Sequence, residues 1–421
     1  MRIVFLLAST SLLAACGGGG PSSISSAPPP VAGGTTDQGP NATEHSFANP
    51  TKAKTYTGVG ANHVMDYLTD GRLCCNQQGE TYAGNSTTVR SSTMSISYDP
   101  ADAIYTLTVS DAESGASAGT RFQDPASRTD FDGLETPQWG TPEFANENVR
   151  YLQAGDGDPR SPYDRSGSGF VNSGDKDTPP SGTPGSSYRA TSMFVLQPGS
   201  ETQYVTIAGY TRNDITFGTL AIDPEVEGEE GTEVESIDWH LERGVFAFGE
   251  VSPIDNVPTT GSGSYSGSMY ATMIFNPTID GQDISGLDNL PNYFQWIEGT
   301  ANLAIDFAAG SFNIDLDGSV LAPQIDTHTL PMLSVIQEGA TFSAAGRGDI
   351  NLINFGGFKG FFDSAGFTNP DGSTRSVNIA GSTVDGAFYG PNGEEVGGGF
   401  RIVGGNPDER VDILGGFIGK K

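Results

Sequence analysis

Ala301-Asn-Leu-Ala-Ile-Asp-Phe-Ala-Ala-Gly-Ser-Phe-Asn-Ile-Asp-Leu316 decides the fold of the second half of this chain. Leu303, Ile305 and Phe307 occupy alternate positions, as do Phe312, Ile314 and Leu316 after Ala308-Ala309-Gly310. Successive strand residues point to opposite faces, so the period of two reads as a tight meander of half-buried strands. Upstream, Tyr265, Gly267, Met269, Ala271, Met273 and Phe275 share one face of a strand. Downstream, further runs cover Phe342–Ile350, Phe358–Phe361, Ser382–Tyr389, Val396–Val403 and Ile413–Ile418. With Gly-rich turns between them, about eight strands suit an antiparallel up-and-down barrel, closed by pairing the Tyr265 strand with Ile413–Ile418. Gly386, Gly390, Gly397–Gly399 and Gly415-Gly416 fit the bends of a small, strongly curved barrel. Tyr293–Gly299 and Gly318–Gln337 read as connectors.

The first half is also β-rich. Thr93–Tyr98 and Ile104–Val109 alternate on either side of Asp99-Pro100-Ala101-Asp102 and read as a hairpin. Tyr204–Tyr210 and Gly244–Gly249 read as strands, and Asp238–Glu242 as a strand edge with solvent-facing charges. Between them, Gln153–Ser187 forms a polar loop whose length fits either disorder or partner binding. Arg160, Tyr163, Arg165 and Phe170 are its candidate binding residues, because Tyr and Arg are enriched in hot spots. The two arginines also oppose the sign of their surroundings. The whole chain therefore reads as all-β, a β domain at 55–250 and a barrel at 251–421.

At the N-terminus, Arg2 precedes an apolar run ending in Leu13-Ala14-Ala15-Cys16, which reads as a lipoprotein signal peptide over residues 1–15. The run is short of the roughly 20 residues that span a bilayer. Cleavage would leave Cys16 as an acylated terminus, and Gly17 after it predicts sorting to the outer membrane. Residues 16–54, with Gly17–Gly20 and Pro28–Pro30, read as a disordered tether.

The net charge of −30, split −12 from Val251 onward and −18 before it, offers no basic face and excludes nucleic acid as a natural partner. Adjacent Cys74 and Cys75 read as a strained disulfide or inert thiols, and His63 is not at a metal-motif spacing from them. Asp156, Asp158, Asp315 and Asp317 show Asp-x-Asp spacing without the full calcium-loop pattern, and they read as solvated turns. No nucleophile elbow, zinc-protease motif or phosphate loop occurs, so neither a catalytic residue, a metal nor a cofactor is expected.

Gly381-Ser-Thr-Val-Asp-Gly-Ala-Phe-Tyr-Gly-Pro-Asn-Gly-Glu-Glu-Val-Gly-Gly-Gly-Phe400 resembles the barrel signature of the transferrin-binding protein B family of surface lipoproteins. Gly386, Phe388, Tyr389, Gly390, Pro391, Glu394, Gly397, Gly398 and Phe400 match it, while Gly393 stands where the family has alanine. Phe417–Lys420 is similar to the closing strand and Val257–Gly267 to the barrel entry. The resemblance implies one lobe, a handle-like β domain followed by an eight-stranded barrel, displayed on the cell exterior. It carries over no transferrin-contact residue. The function expected is that of an outer-membrane surface lipoprotein binding a protein or small solute, for example an iron- or haem-carrying protein, with an outer-membrane transporter as a further partner. The alternatives are a structural or adhesive surface lipoprotein, and a carbohydrate-active enzyme built on some pair of its 51 acidic residues.

Overall fold

The computed structural model describes residues 52–70, 77–80, 86–88, 94–101, 104–110, 117–123, 137, 140–154, 184–185, 187–221, 233–276, 293–326, 336–404 and 410–421. Eight strands close into an antiparallel barrel: Ser262–Asn276, Tyr293–Asp306, Ser311–Val320, Thr341–Asn351, Gly357–Thr368, Ile379–Tyr389, Glu395–Gly404 and Arg410–Lys420. Each pairs with the next, and the first also pairs with the last, Met273 opposite Ile413 and Met269 opposite Phe417. The meander has the expected register, with Leu303 opposite Ile314 and Ile305 opposite Phe312.

Alternation sets the inside from the outside. Tyr265, Met269, Leu303, Ile314, Phe342, Phe358, Phe388, Phe400 and Phe417 fill the barrel, each large side chain contributing roughly 1.5–3 kcal/mol by its removal from water. Asn302, Asn313, Asp315, Ser343 and Arg347 point outward and are exposed. A lipid-spanning barrel has the reverse arrangement, apolar outside and polar within.

The second sheet is larger. Its order is Lys54–Thr57, Met94–Asp99, Ile104–Ser110, Ser117–Gln123, Val149–Ala154, Ser187–Leu196, Val205–Ala221, Glu233–Gly249, Val59–Asp70 and Gln77–Glu80, with Ser86–Thr88 also on Val59–Asp70. Lys54–Thr57 and Val59–Asp70 are one stretch interrupted at Gly58, so the sheet starts and nearly ends on the same piece of backbone. It wraps around Tyr56, Ile96, Leu107, Phe122, Met193, Tyr210 and Phe246. The predicted hairpin is present, Met94 opposite Val109 and Asp99 opposite Ile104.

Several sequence expectations are corrected. Tyr293–Gly299 is not a connector but the first half of a barrel strand. Phe294 and Trp296 on one face pack toward the second sheet while Ile297 faces the barrel interior, so both faces are apolar and the alternation disappears. Gly318–Val320 likewise completes the Ser311–Val320 strand. Asp238–Glu242 lies inside Glu233–Gly249, hydrogen-bonded to a neighbour on each side, rather than at an edge. Asp238 and His240 are exposed, but Glu242 is buried and accepts hydrogen bonds from Tyr210 and Arg212. Asp315 and Asp317 sit mid-strand, not in a turn.

Candidate functional site

The two sheets pack face to face through aromatic side chains. Phe194, Val205 and Ile207 from one, with Phe144 from the stretch before Val149, meet Tyr270, Phe294, Trp296 and Tyr389 from the other. Trp296 is fully buried, and its indole Nε1 donates to the Gly140 carbonyl at 2.6 Å. Backbones approach closely where both sheets carry glycine: a Cβ on Gly399 would stand 2.4 Å from the Cα of Gly60. Only hydrogen fits there.

Buried charge fixes the same junction. Arg243 donates to the Thr272 hydroxyl at 2.7 Å and the Asp412 carbonyl at 3.3 Å, and lies 3.5 Å from the Asp412 carboxylate. Arg401 binds that carboxylate through Nε at 3.2 Å and Nη2 at 2.7 Å, and His63 Nε2 stands 3.9 Å away. Burial alone would raise the Asp412 carboxyl, but the charges of His63, Arg401 and Arg243 outweigh it and hold the group far below the ordinary carboxylate range. Two barrel glutamates grip loops of the other sheet by backbone N–H groups. Glu395 accepts from Gln203, Tyr204 and Val205 at 2.6, 2.8 and 3.1 Å, and Glu298 accepts from Ala145 and Asn146 at 2.7 and 3.0 Å. Burial raises the Glu395 carboxyl, and these three donors partly offset the rise.

This junction sets the two sheets side by side in one sense, because Ala247 lies against Gly397 while Arg243 lies against Thr272 and Asp412. Their connections are therefore sorted to two ends. At one end the chain turns tightly: Asp306 caps Ala308 and Ala309, Leu352–Phe355 makes a helical turn, and Gly390 and Gly393 take positive φ in the turn after Tyr389. Lys54, where the described chain enters its first strand, is paired with Glu250 at this same end. At the other end, the pairings of Ala221 with Glu233, Asp70 with Ser236 and Ser187 with Thr216 gather the connections 222–232, 71–76 and 155–186. Connections 277–292 and 405–409 join them there, since Phe275 pairs with Tyr293 and Asn276 with Arg410. Long connections carried on rigid strands are where binding residues concentrate.

Arg160, Tyr163, Arg165 and Phe170 lie outside the described residues, as do Cys16, Cys74, Cys75, Asp156 and Asp158. The strands flanking the 155–186 connection are hydrogen-bonded neighbours, Val149 opposite Leu196. His63 is at the buried junction, in a role that no spacing in the sequence revealed. Of the barrel signature, Phe388 and Phe400 fill the interior, and Gly386 lies under the Phe358 ring. Tyr389 and Gly397 instead face the second sheet, Gly398 packs on Phe417, and Gly390-Pro391 opens the turn whose Gly393 carbonyl accepts from Tyr265. Among the described residues, no group of three or more His, Cys, Asp or Glu could hold a metal ion.

Residues 257–421 match the family model described as the C-lobe and N-lobe beta barrels of Tf-binding protein B. The barrel is similar to the barrels of that family. Among solved structures, the transferrin-binding-protein-B-like chain overlaps a double mutant of transferrin binding protein B from Haemophilus parasuis Hp5 at 14% identity, covering 87% of this chain and 76% of that one, with a TM-score of 0.24. It overlaps the N-lobe of lactoferrin binding protein B of Moraxella bovis at 14% identity, covering 56% and 79%, with a TM-score of 0.24. Isotype 1 transferrin binding protein B from serogroup B Neisseria meningitidis overlaps at 12% identity, covering 88% and 77%, with a TM-score of 0.24. Overlaps this loose carry no argument about partners. A comparison with curated proteins found no match.

Proposed function

We propose that this chain is an outer-membrane lipoprotein, acylated at Cys16 and facing the cell exterior, that captures an iron-carrying protein without performing chemistry on it. The handle, 55–250, and the barrel, 251–421, act as the two domains of one lobe. The observation that carries this reading is the sorting of connections. Lys54 lies at the tight-turn end, and the strand ends that flank 71–76, 155–186, 222–232, 277–292 and 405–409 lie toward the opposite end. Val59–Asp70 alone spans about 36 Å at ~3.3 Å per residue, so a lobe tethered at one end presents its loops well away from the lipid. Arg160, Tyr163, Arg165 and Phe170 on the 155–186 connection are the proposed contacts, and an outer-membrane transporter is the proposed recipient of the cargo. The barrel family, described for a Tf-binding protein, points to iron-carrying proteins as the class of partner.

Protease treatment of intact cells tests the placement and surface plasmon resonance tests the partner. The chain should be shaved from intact cells, and it should bind at least one of iron-loaded transferrin, lactoferrin and haemoglobin. Resistance to protease until lysis would overturn the exterior placement. Absence of binding to all three would overturn the partner class.

A further inference from the structure

The outer wall of the barrel carries a feature that neither closure nor packing on the handle requires. Across four adjacent strands, register aligns Asn302, Asp315, Ala345 and Ser364 in one row and Thr300, Asp317, Ser343 and Gly366 in the next, with Ser376 beyond Gly366. All point outward. Exposed strand positions ordinarily favour β-branched or aromatic side chains, yet here Ala345 and Gly366 form a floor and three serines surround it. The result is a depression of about 510 Å³, within the roughly 300–1,000 Å³ range of small-molecule sites.

The next row holds Asn313, Arg347 and Phe361, and Phe361 is 48% exposed although a buried alternative would be cheaper for its ring. A β-bulge between Ala345 and Gly346 leaves Asp363 as an extra outward residue between Phe361 and Ser364. Asp363 pairs with Arg347 at 3.2 Å, and Arg347 lies over the Phe361 ring, 5.7 Å from its centre. Bulges of this kind re-aim side chains and are common beside binding sites.

We propose that this depression binds a neutral saccharide. The polar side chains of its lining are two carboxylates, one carboxamide and three hydroxyls, and the Arg347 guanidinium in the next row is engaged by Asp363. Such a lining excludes an apolar ligand by desolvation cost and an anion by charge. A polyol fits it: sugar hydroxyls donate to Asp315 and Asp317 and accept from the serines, while a C–H face lies on Phe361. Asn302 already accepts from the Ser266 hydroxyl at 2.8 Å, which turns its amide N–H groups to the remaining side. Two rows by four strands cover about 7 by 14 Å, room for a short oligosaccharide. The inference is independent of the loop-end partner.

The test is a glycan array of neutral, amino, sialylated and sulfated oligosaccharides probed with the full chain and with Asp315→Asn/Asp317→Asn and Phe361→Ala chains. All three positions are exposed, and unchanged thermal unfolding verifies that the variants fold. Retention of at least one neutral glycan is expected, weakened at least about tenfold by the double substitution and severalfold by Phe361→Ala, and indifferent to EDTA. Failure to retain any neutral glycan overturns the proposal, as does retention that ignores the double substitution. Retention abolished by EDTA and restored by calcium would assign the aspartates to a cation instead.

Discussion

Arg243, on a central strand of the handle, and Asp412, on the last strand of the barrel, form an ion pair at 3.5 Å in which neither side chain is reached by solvent. The pair joins domains whose partners lie far apart in sequence, and Arg401, Thr272 and His63 complete it. It ties the second sheet to the barrel across their buried junction.

Removing one member of such a pair leaves the other charged and buried. Arg243→Met is predicted to cost about 3–5 kcal/mol, measured by urea unfolding. Asp412→Asn should cost at least as much, because it leaves the buried Arg243 without a carboxylate, whereas Arg243→Met leaves Asp412 its two bonds from Arg401.

The pH dependence follows from Asp412. Its folded value lies below the ordinary 3.8, so the ionised group stabilises the fold above that pH, and the contribution drains away as pH falls toward the folded value. Urea unfolding should show no loss from Asp412 between about pH 7 and pH 5 and declining stability from about pH 5 to about pH 2, and Asp412→Asn should flatten that lower decline. An equal slope in both chains would remove Asp412 from the junction.

Glu395 makes a local prediction. Glu395→Ala leaves the amides of Gln203, Tyr204 and Val205 without their acceptor. Hydrogen exchange at 203–205 should accelerate by a factor of ten or more, corresponding to about 1–3 kcal/mol, while the barrel strands keep their protection.

Cys16→Ser tests the anchor. The unacylated chain should appear in the soluble fraction rather than with the outer membrane, measured by fractionation and immunoblot. Continued membrane association of that variant would point to anchoring by another route.

How much of this was legible follows from which faces are buried. Leu303, Ile305, Phe312 and Ile314 alternate with exposed Asn302, Asn313 and Asp315, so both strands and their register could be read. Where barrel meets handle the signal vanished: Trp296 and Ile297 are neighbours buried on opposite faces, and Gly397 and Gly399 look like curvature until Ala247 and Gly60 are seen against them. The His63, Arg243 and Asp412 cluster has no local signature at all, because only tertiary packing brings it together. The outward serines of the barrel wall were equally silent, since small polar residues on a strand read as plain solvent exposure.

The central claim is that the loop-bearing end, opposite the tether, holds the partner. Replacing Asp156–Ser181 with a short Gly/Ser segment should leave the fold intact, since Val149–Ala154 and Ser187–Leu196 are already paired and closure cost varies slowly with loop length. Surface plasmon resonance against iron-loaded transferrin, lactoferrin and haemoglobin then compares the two chains. The account predicts that the wild type binds at least one of them and that the replacement weakens this binding by about a hundredfold or more, as loss of several hot-spot residues would. Equal binding by a replacement chain with unchanged thermal unfolding would contradict it.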